Sequence, residues 1–212
     1  MRQSFSRTLC AYPWRSQILC LFPLGLLLCC LTLFIGTGDE ITRYFKDLRQ
    51  QQPLLTEAMT LVTNWTKFCF YLLYLVILAR GLYAGERALV RFVLAFTAAQ
   101  IIVSAILVQI TKCAVGKPRP EPALAGHGYS PFSGTSRFHS FPSGHTAEIT
   151  GAASPLAARC GRAFTTLFLG SIVALVAFSR IYLSMHHISD IVGGMVAGVL
   201  TGVLTYHLCR RE

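Results

Sequence analysis

His186 and Asp190 stand four residues apart in "SRIYLSMHHISD", residues 179–190, just ahead of the apolar run "IVGGMVAGVLTGVLTYHL". On a helix that spacing places both side chains on one face. A carboxylate there accepts the imidazole Nδ1–H, fixes the tautomer, and leaves Nε2 free as a base or nucleophile. Arg180, shortly before, offers a planar fork suited to a phosphate. The plain alternative is a polar helix start, but an Asp inside an apolar segment is expensive and usually functional.

Two other stretches carry related chemistry. In "FPSGHT", 141–146, Ser143 is a good N-cap and the free N–H groups of Gly144 and His145 open the next apolar segment. A helix N-terminus attracts anions, and this one aims His145 at the anion; otherwise it is an ordinary capped helix with a stray histidine. In "KCAVGKPRP", 112–120, Lys112 and Arg119 have six residues between them across a turn made irregular by Gly116, Pro118 and Pro120. The prolines fix the approach of Arg119; without that constraint the two would read as cations snorkelling at a membrane edge. Zinc is the rival use of His145, His186, His187 and Asp190. Neither a His-Glu-x-x-His nor a Cys/His pairing at ligand spacing is present. Three nearby cations would repel a metal, so no metal and no other cofactor is expected.

The elements that must hold these residues are apolar. Of 212 residues, 53% are hydrophobic and only 13% charged, and mean hydropathy is +0.53; a soluble domain carries about 25% charge. A membrane span needs roughly 20 apolar residues. Six runs approach that, at 18–36, 65–80, 91–110, 144–159, 163–179 and 188–208, the fourth and fifth being short or interrupted by polar groups. The fold class expected is all-α: a polytopic membrane protein with six transmembrane helices, organised as one integral domain over residues 1–212. No internal repeat or low-complexity tract divides it.

The net charge of +10 raises a nucleic-acid reading, but the 19 Lys and Arg form no basic arm. They lie in small groups between apolar runs, the positive-inside pattern. Arg2, Arg7 and Arg15, then Arg80, Arg87 and Arg91, then Arg159 and Arg162, then Arg210 and Arg211 place one face and both termini in the cytoplasm. On the other face Arg43, Lys46 and Arg49 are balanced by Asp39, Glu40 and Asp47, while Lys112, Arg119 and Arg180 break the charge rule and so have another task. The first run reads as a span rather than a cleaved signal peptide, because no small-x-small site follows and Leu28 precedes Cys29. The eight cysteines show no metal or disulfide spacing and read as small hydrophobes.

Lys112…Arg119-Pro120, then Pro142-Ser143-Gly144-His145, then Ser179-Arg180…His186…Asp190, with every internal spacing kept, resemble the three motifs of the type 2 phosphatidic acid phosphatase superfamily of membrane lipid phosphatases. The resemblance implies that His186 is a nucleophile forming a phosphohistidine and that Asp190 orients it. It implies that His145 protonates the leaving oxygen and then activates water. Lys112, Arg119, Arg180, Ser143 and the Gly144 N–H would hold the phosphoryl oxygens, with no metal. In bacterial members the site faces the periplasm, across the inner membrane. The implied partners are a lipid phosphate and the bilayer; neither nucleic acid nor an obligate protein partner is indicated.

Substrate choice is less legible. The segment joining the first two runs, about 37–64, is short and polar and leaves no room for a separate selecting domain. The loop between Arg119 and Phe141 is the best placed headgroup reader, with Arg137, His127 and His139 either meeting a second phosphate or sugar or simply solvated. Candidate substrates are lipid A 1-phosphate, phosphatidylglycerophosphate, undecaprenyl diphosphate and phosphatidic acid. A lipid-to-lipid phosphotransferase and a non-catalytic lipid-binding protein are the alternatives. Glu148 lies three residues after His145, so it either hydrogen-bonds that imidazole and favours its protonated form, or packs against a neighbouring helix.

Overall fold

A computed structural model describes residues 12–121, 124 and 126–210. Arg2, Arg7 and Arg211, counted above toward the charged face, lie outside the described residues. Among those described, every regular element is helical. The helices are α1 (Trp14–Phe34), α2 (Asp39–Gln51), α3 (Pro53–Tyr83), α4 (Arg87–Gln100), α5 (Val108–Val115), α6 (Gly144–Cys160), α7 (Ala163–Tyr182) and α8 (Ile188–Arg210). A π-helical stretch, Ile101–Leu107, joins α4 to α5, so the two run on as one rod.

Among the described residues, five helices are long and apolar enough to cross a membrane: Trp14–Phe34, Pro53–Tyr83, Arg87–Val115, Ala163–Tyr182 and Ile188–Arg210. The chain is a membrane protein. The fourth run of the sequence, α6, stands apart from these five. It has 17 residues, with Glu148 in its second turn and Pro155 in its interior, and most of its side chains are buried against its neighbours.

Small residues explain that burial. Gly194, Gly198 and Gly202 recur every fourth residue along α8, on the face turned to α6. A Cβ on Gly194 would come 2.5 Å from the Ser143 carbonyl oxygen, and one on Gly202 would come 2.7 Å from Ser154 Cβ. Within lipid, helices gain little from apolar burial and associate through close packing of this small-xxx-small kind. Side-chain bonds tie α6 to the other helices. Gln17 of α1 donates to Ser154 Oγ at 3.1 Å, and the Tyr74 hydroxyl of α3 donates to the Ala152 carbonyl at 2.9 Å.

The segment 37–64, read from sequence as a polar joint, is mostly helix. In α2, Ile41 and Phe45 are buried while Arg43, Lys46 and Asp47 are exposed. The Phe45 ring lies 5.5 Å from that of Tyr182 and 5.6 Å from that of Phe178. The Arg49 guanidinium donates to the Tyr182 carbonyl, and the Thr56 and Tyr182 hydroxyls are 3.0 Å apart. α2 is thus docked over the end of α7. α3 begins at Pro53 rather than near 65, because Leu55, Met59 and Val62 keep a helical stripe that interleaved Thr and Glu hide from a hydropathy window.

Candidate active site

Backbone bonds gather the three chemistry-bearing stretches at one end of the helices. α5 stops at Gly116, whose left-handed φ of 60° suits glycine, and whose missing Cβ leaves room for the Ser130–Pro131 backbone. The chain beyond is then strapped down. Arg119 N–H donates to Arg137 O at 2.9 Å, Ser140 N–H to Lys117 O at 3.0 Å, and Ser143 N–H to Asp190 O at 2.9 Å. The last of these joins the first turns of α6 and α8, so His145 and His186 are presented from one side.

His186 is almost fully buried, and its Nδ1 lies 2.8 Å from the Ser140 carbonyl oxygen. A carbonyl only accepts, so the proton sits on Nδ1 and the lone pair on Nε2. Asp190 is 3.7 Å from the same nitrogen. The expected Nδ1–H to Asp190 bond is therefore replaced by one to Ser140. The physical reason is local: α8 begins only at Ile188, so His186 precedes the helix, and the four-residue spacing pairs the two groups at 3.7 Å while the shorter bond goes to Ser140. Burial, opposed by Asp190 and aided by Arg180, pushes the His186 pKa down to about 4. The ring is neutral at ordinary pH.

Asp190 has other partners. Its fully buried carboxylate accepts from Lys117 Nζ at 2.7 Å, Ser140 Oγ at 2.5 Å and the His187 N–H at 2.8 Å. Lys117 also donates to Ser189 Oγ at 2.7 Å. Sequence reasoning passed over both Lys117 and Ser140. Lys117 carried a signal, as a third cation in "KCAVGKPRP"; Ser140 carried none.

The expected phosphate-holding groups converge around this pair. Arg180 is 6% exposed; its Nη1 donates to Thr63 Oγ1 at 3.2 Å, while its Nε is buried without a partner. Arg119 reaches Met185 Sδ at 3.4 Å, and its Nε is likewise buried and unpartnered. Two buried guanidinium N–H groups lacking a protein acceptor suit an anion. Lys112 lies close against Gly144, where a Cβ would stand 3.1 Å from its ammonium nitrogen. Ser143 caps α6, its Oγ accepting from Thr146 Oγ1 at 3.0 Å and from Thr146 N–H at 3.5 Å. His145 follows in the first turn, half-buried.

The accessory candidates fall outside this cluster. Glu148 accepts from the Tyr71 hydroxyl at 3.5 Å, and among the described residues no hydrogen bond or ion pair joins it to His145. Its place on α6 carries the carboxylate toward Tyr71 of α3 and Gln100 of α4, with which it lines a separate cavity. Arg137 is exposed and 3.6 Å from Glu121. His139 Nε2 is 2.9 Å from the Ser133 carbonyl oxygen. Among the described residues no group of three or more His, Cys, Asp or Glu is disposed as metal ligands, and the described cysteines are free.

The model of the PAP2 superfamily matches residues 88–212. Lipid A 1-phosphatase of Rhizobium johnstonii is 31% identical over 114 residues, 50% of this chain and 43% of that protein. Lipid A 1-phosphatase of Rhizobium etli is 30% identical over 114 residues, 50% and 45% respectively. Lipid A 4'-phosphatase of Porphyromonas gingivalis is 37% identical over 68 residues, 32% and 29%. The chain thus spans less than half the length of the curated relatives it matches. No solved structure matches it. The family match takes in α4 to α8 and every motif residue from Lys112 to Asp190, and on that basis the chain belongs to the PAP2 superfamily.

Proposed function

We propose that the protein hydrolyses a lipid-linked phosphate through a phosphohistidine on His186, without a metal. The observation that carries this is the buried His186 ring, fixed by Ser140 with its Nε2 lone pair free and flanked by the unpartnered N–H groups of Arg119 and Arg180. Nε2 attacks phosphorus, the P–O bond to the lipid breaks, and His145 protonates the leaving oxygen. Water then attacks phosphorus and gives its proton to His145, the P–N bond breaks, and phosphate leaves. Lys112, Arg119, Arg180, Ser143 and the Gly144 N–H stabilise the equatorial oxygens, the fixed positive charge that phosphoryl transfer requires. Asp190 acts on His186 both directly, 3.7 Å from Nδ1, and through Ser140, from whose hydroxyl it accepts a hydrogen bond.

The same proposal covers the membrane frame. α7, with 20 residues, is about 30 Å long at 1.5 Å per residue, the thickness of a bilayer core. α6 is the sixth span, short but shielded from lipid by its neighbours, within one integral domain. The site end faces the periplasm from the bacterial inner membrane, since Arg15, Arg80, Arg87, Arg91, Arg159, Arg162 and Arg210 lie toward the opposite helix ends. Lipid A 1-phosphate is the leading substrate, as the named activity of two relatives, ahead of phosphatidylglycerophosphate and undecaprenyl diphosphate.

The test is purified protein against a panel of lipid phosphates, scored by free phosphate. His186→Ala should lose at least about a hundredfold in rate, and EDTA should leave the wild type active. A His186→Ala protein keeping a tenth of the rate overturns the nucleophile. Loss with EDTA, restored by one divalent ion, overturns metal independence. Label passing to an added acceptor lipid, with none released as phosphate, would make the enzyme a phosphotransferase.

A further inference from the structure

A cavity of about 500 Å³ opens beside His187, walled by Asp39, Thr42, Arg43 and Lys46 of α2 on one side and by Arg119 and His187 on the other. The inner wall belongs to the proposed catalytic cluster: Arg119 is one of its phosphate ligands and His187 adjoins the nucleophile. The outer wall is one face of α2, since positions 39, 42, 43 and 46 follow helical spacing. That face is fixed in place, because Ile41 and Phe45 are buried on the other side of the helix and Arg49 is anchored to Tyr182.

Its chemistry is specific. Among the described residues the side chains of Arg43 and Lys46 make no hydrogen bond or ion pair, and both are exposed. Asp39, Glu121 and His127 add carboxylates and an imidazole to the lining. Two uncommitted cations suit an anionic group; carboxylates and imidazoles suit hydroxyls. The volume lies within the roughly 300–1,000 Å³ of small-molecule sites and far exceeds what one phosphate fills. A substrate whose scissile phosphate sat on Arg119 would project the rest of its headgroup along this cavity toward α2.

We infer that the α2 cavity is a second headgroup subsite, in which Arg43 and Lys46 bind an anionic group on a hydroxyl-rich headgroup, making a phosphorylated glycolipid a better substrate than a lipid with a bare phosphate. This rests on the hydrolase reading and on its leading substrate, and adds the residues that would select the headgroup.

The test compares two substrates in neutral detergent micelles, where no bulk anionic lipid competes: a glycolipid bearing phosphates at both ends of its sugar headgroup, and phosphatidic acid. For the Arg43→Ala/Lys46→Ala double variant, the ratio of kcat/KM for the glycolipid to that for phosphatidic acid should fall about tenfold or more, tenfold being about 1.4 kcal/mol. The loss should lie mainly in KM. Lys46→Glu, a single exposed change, should lower the same ratio. An unchanged ratio overturns the inference, whether both rates hold or both fall together. A ratio that falls only when anionic lipid is added to the micelles assigns these cations to the membrane surface and also overturns it. Wild-type release of phosphate from at least one of the two substrates reports separately on the hydrolase reading; absence of turnover on both sinks that reading and this one with it.

Discussion

At the scale of single residues, the ion pair of half-buried Lys117 with the buried Asp190 is the feature the motifs conceal. Asp190 has no exposed surface and four neighbours arranged about its carboxylate, Lys117 at 2.7 Å being its one full positive charge. Removing one partner of a buried pair strands the other and costs about 3–5 kcal/mol. Lys117→Met should therefore destabilise the protein strongly, and Lys117→Met/Asp190→Asn should recover part of that loss; a thermal melt in detergent reads both. A single variant as stable as wild type would show the pair to be dispensable. His186 supplies a pH prediction. Its folded pKa of about 4 lies below the usual 6.5, so between those values the unfolded chain binds a proton that the folded chain refuses. Stability then falls as pH drops from 6.5 toward 4. His186→Gln removes the group and should flatten that slope; equal slopes in the two proteins would contradict the burial account. The pairing of His186 with Asp190 was legible from their spacing, at 3.7 Å rather than as a direct hydrogen bond. The acceptor of the His186 proton was not, because it is the backbone carbonyl of Ser140, and a carbonyl has no letter of its own.

At the scale of elements, hydropathy located the helices and misjudged two of them for one reason. A window average sees bulk apolarity, so α1, α7 and α8 stand out, whereas α2 and the first turns of α3 are diluted by charged and hydroxyl residues on their outer faces. α6 has the reverse difficulty. Its Ala, Gly, Ser and Thr are chosen for closeness to α8 rather than for contact with lipid. The glycine seam between them also sets the geometry of the proposed site, because Ser143 and Asp190 meet at its upper end. A Cβ on Gly198 would come 2.7 Å from the Gly151 backbone nitrogen, where neither helix can yield without moving the other. Gly198→Val should cost about 1–3 kcal/mol as overpacking and should lower kcat further than stability alone explains, since His145 rides on α6 and Arg180 and His186 do not. Gly25, which faces open space, provides the control: Gly25→Val should leave kcat near wild type. Equal kcat in the two variants would separate the seam from the chemistry.

At the scale of the whole molecule, the polar ends of the bundle are chemically unlike, and that asymmetry makes the orientation testable. The site end carries Lys112, Lys117, Arg119 and Arg180, but Asp190 and the buried setting commit them locally, and α2 balances Arg43, Lys46 and Arg49 with Asp39, Glu40 and Asp47. The far end carries arginines with little acidic compensation: Arg15 at the start of α1, Arg80 and Arg87 around the α3–α4 turn, Arg159 and Arg162 around the α6–α7 turn, and Arg210 at the end of α8. Charges in short loops near span ends set orientation, and cations already engaged in a site are weak topological signals. The far end should therefore lie in the cytoplasm and the site end outside. In a cysteine-free background, Ser136→Cys and Arg87→Cys place single thiols at exposed positions on opposite ends. A membrane-impermeant maleimide added to intact spheroplasts should label the first and spare the second, and lysis should render both reactive. Labelling of Arg87→Cys alone would invert the molecule, putting the phosphate cluster on the cytoplasmic side and restricting its substrates to lipids of the inner leaflet.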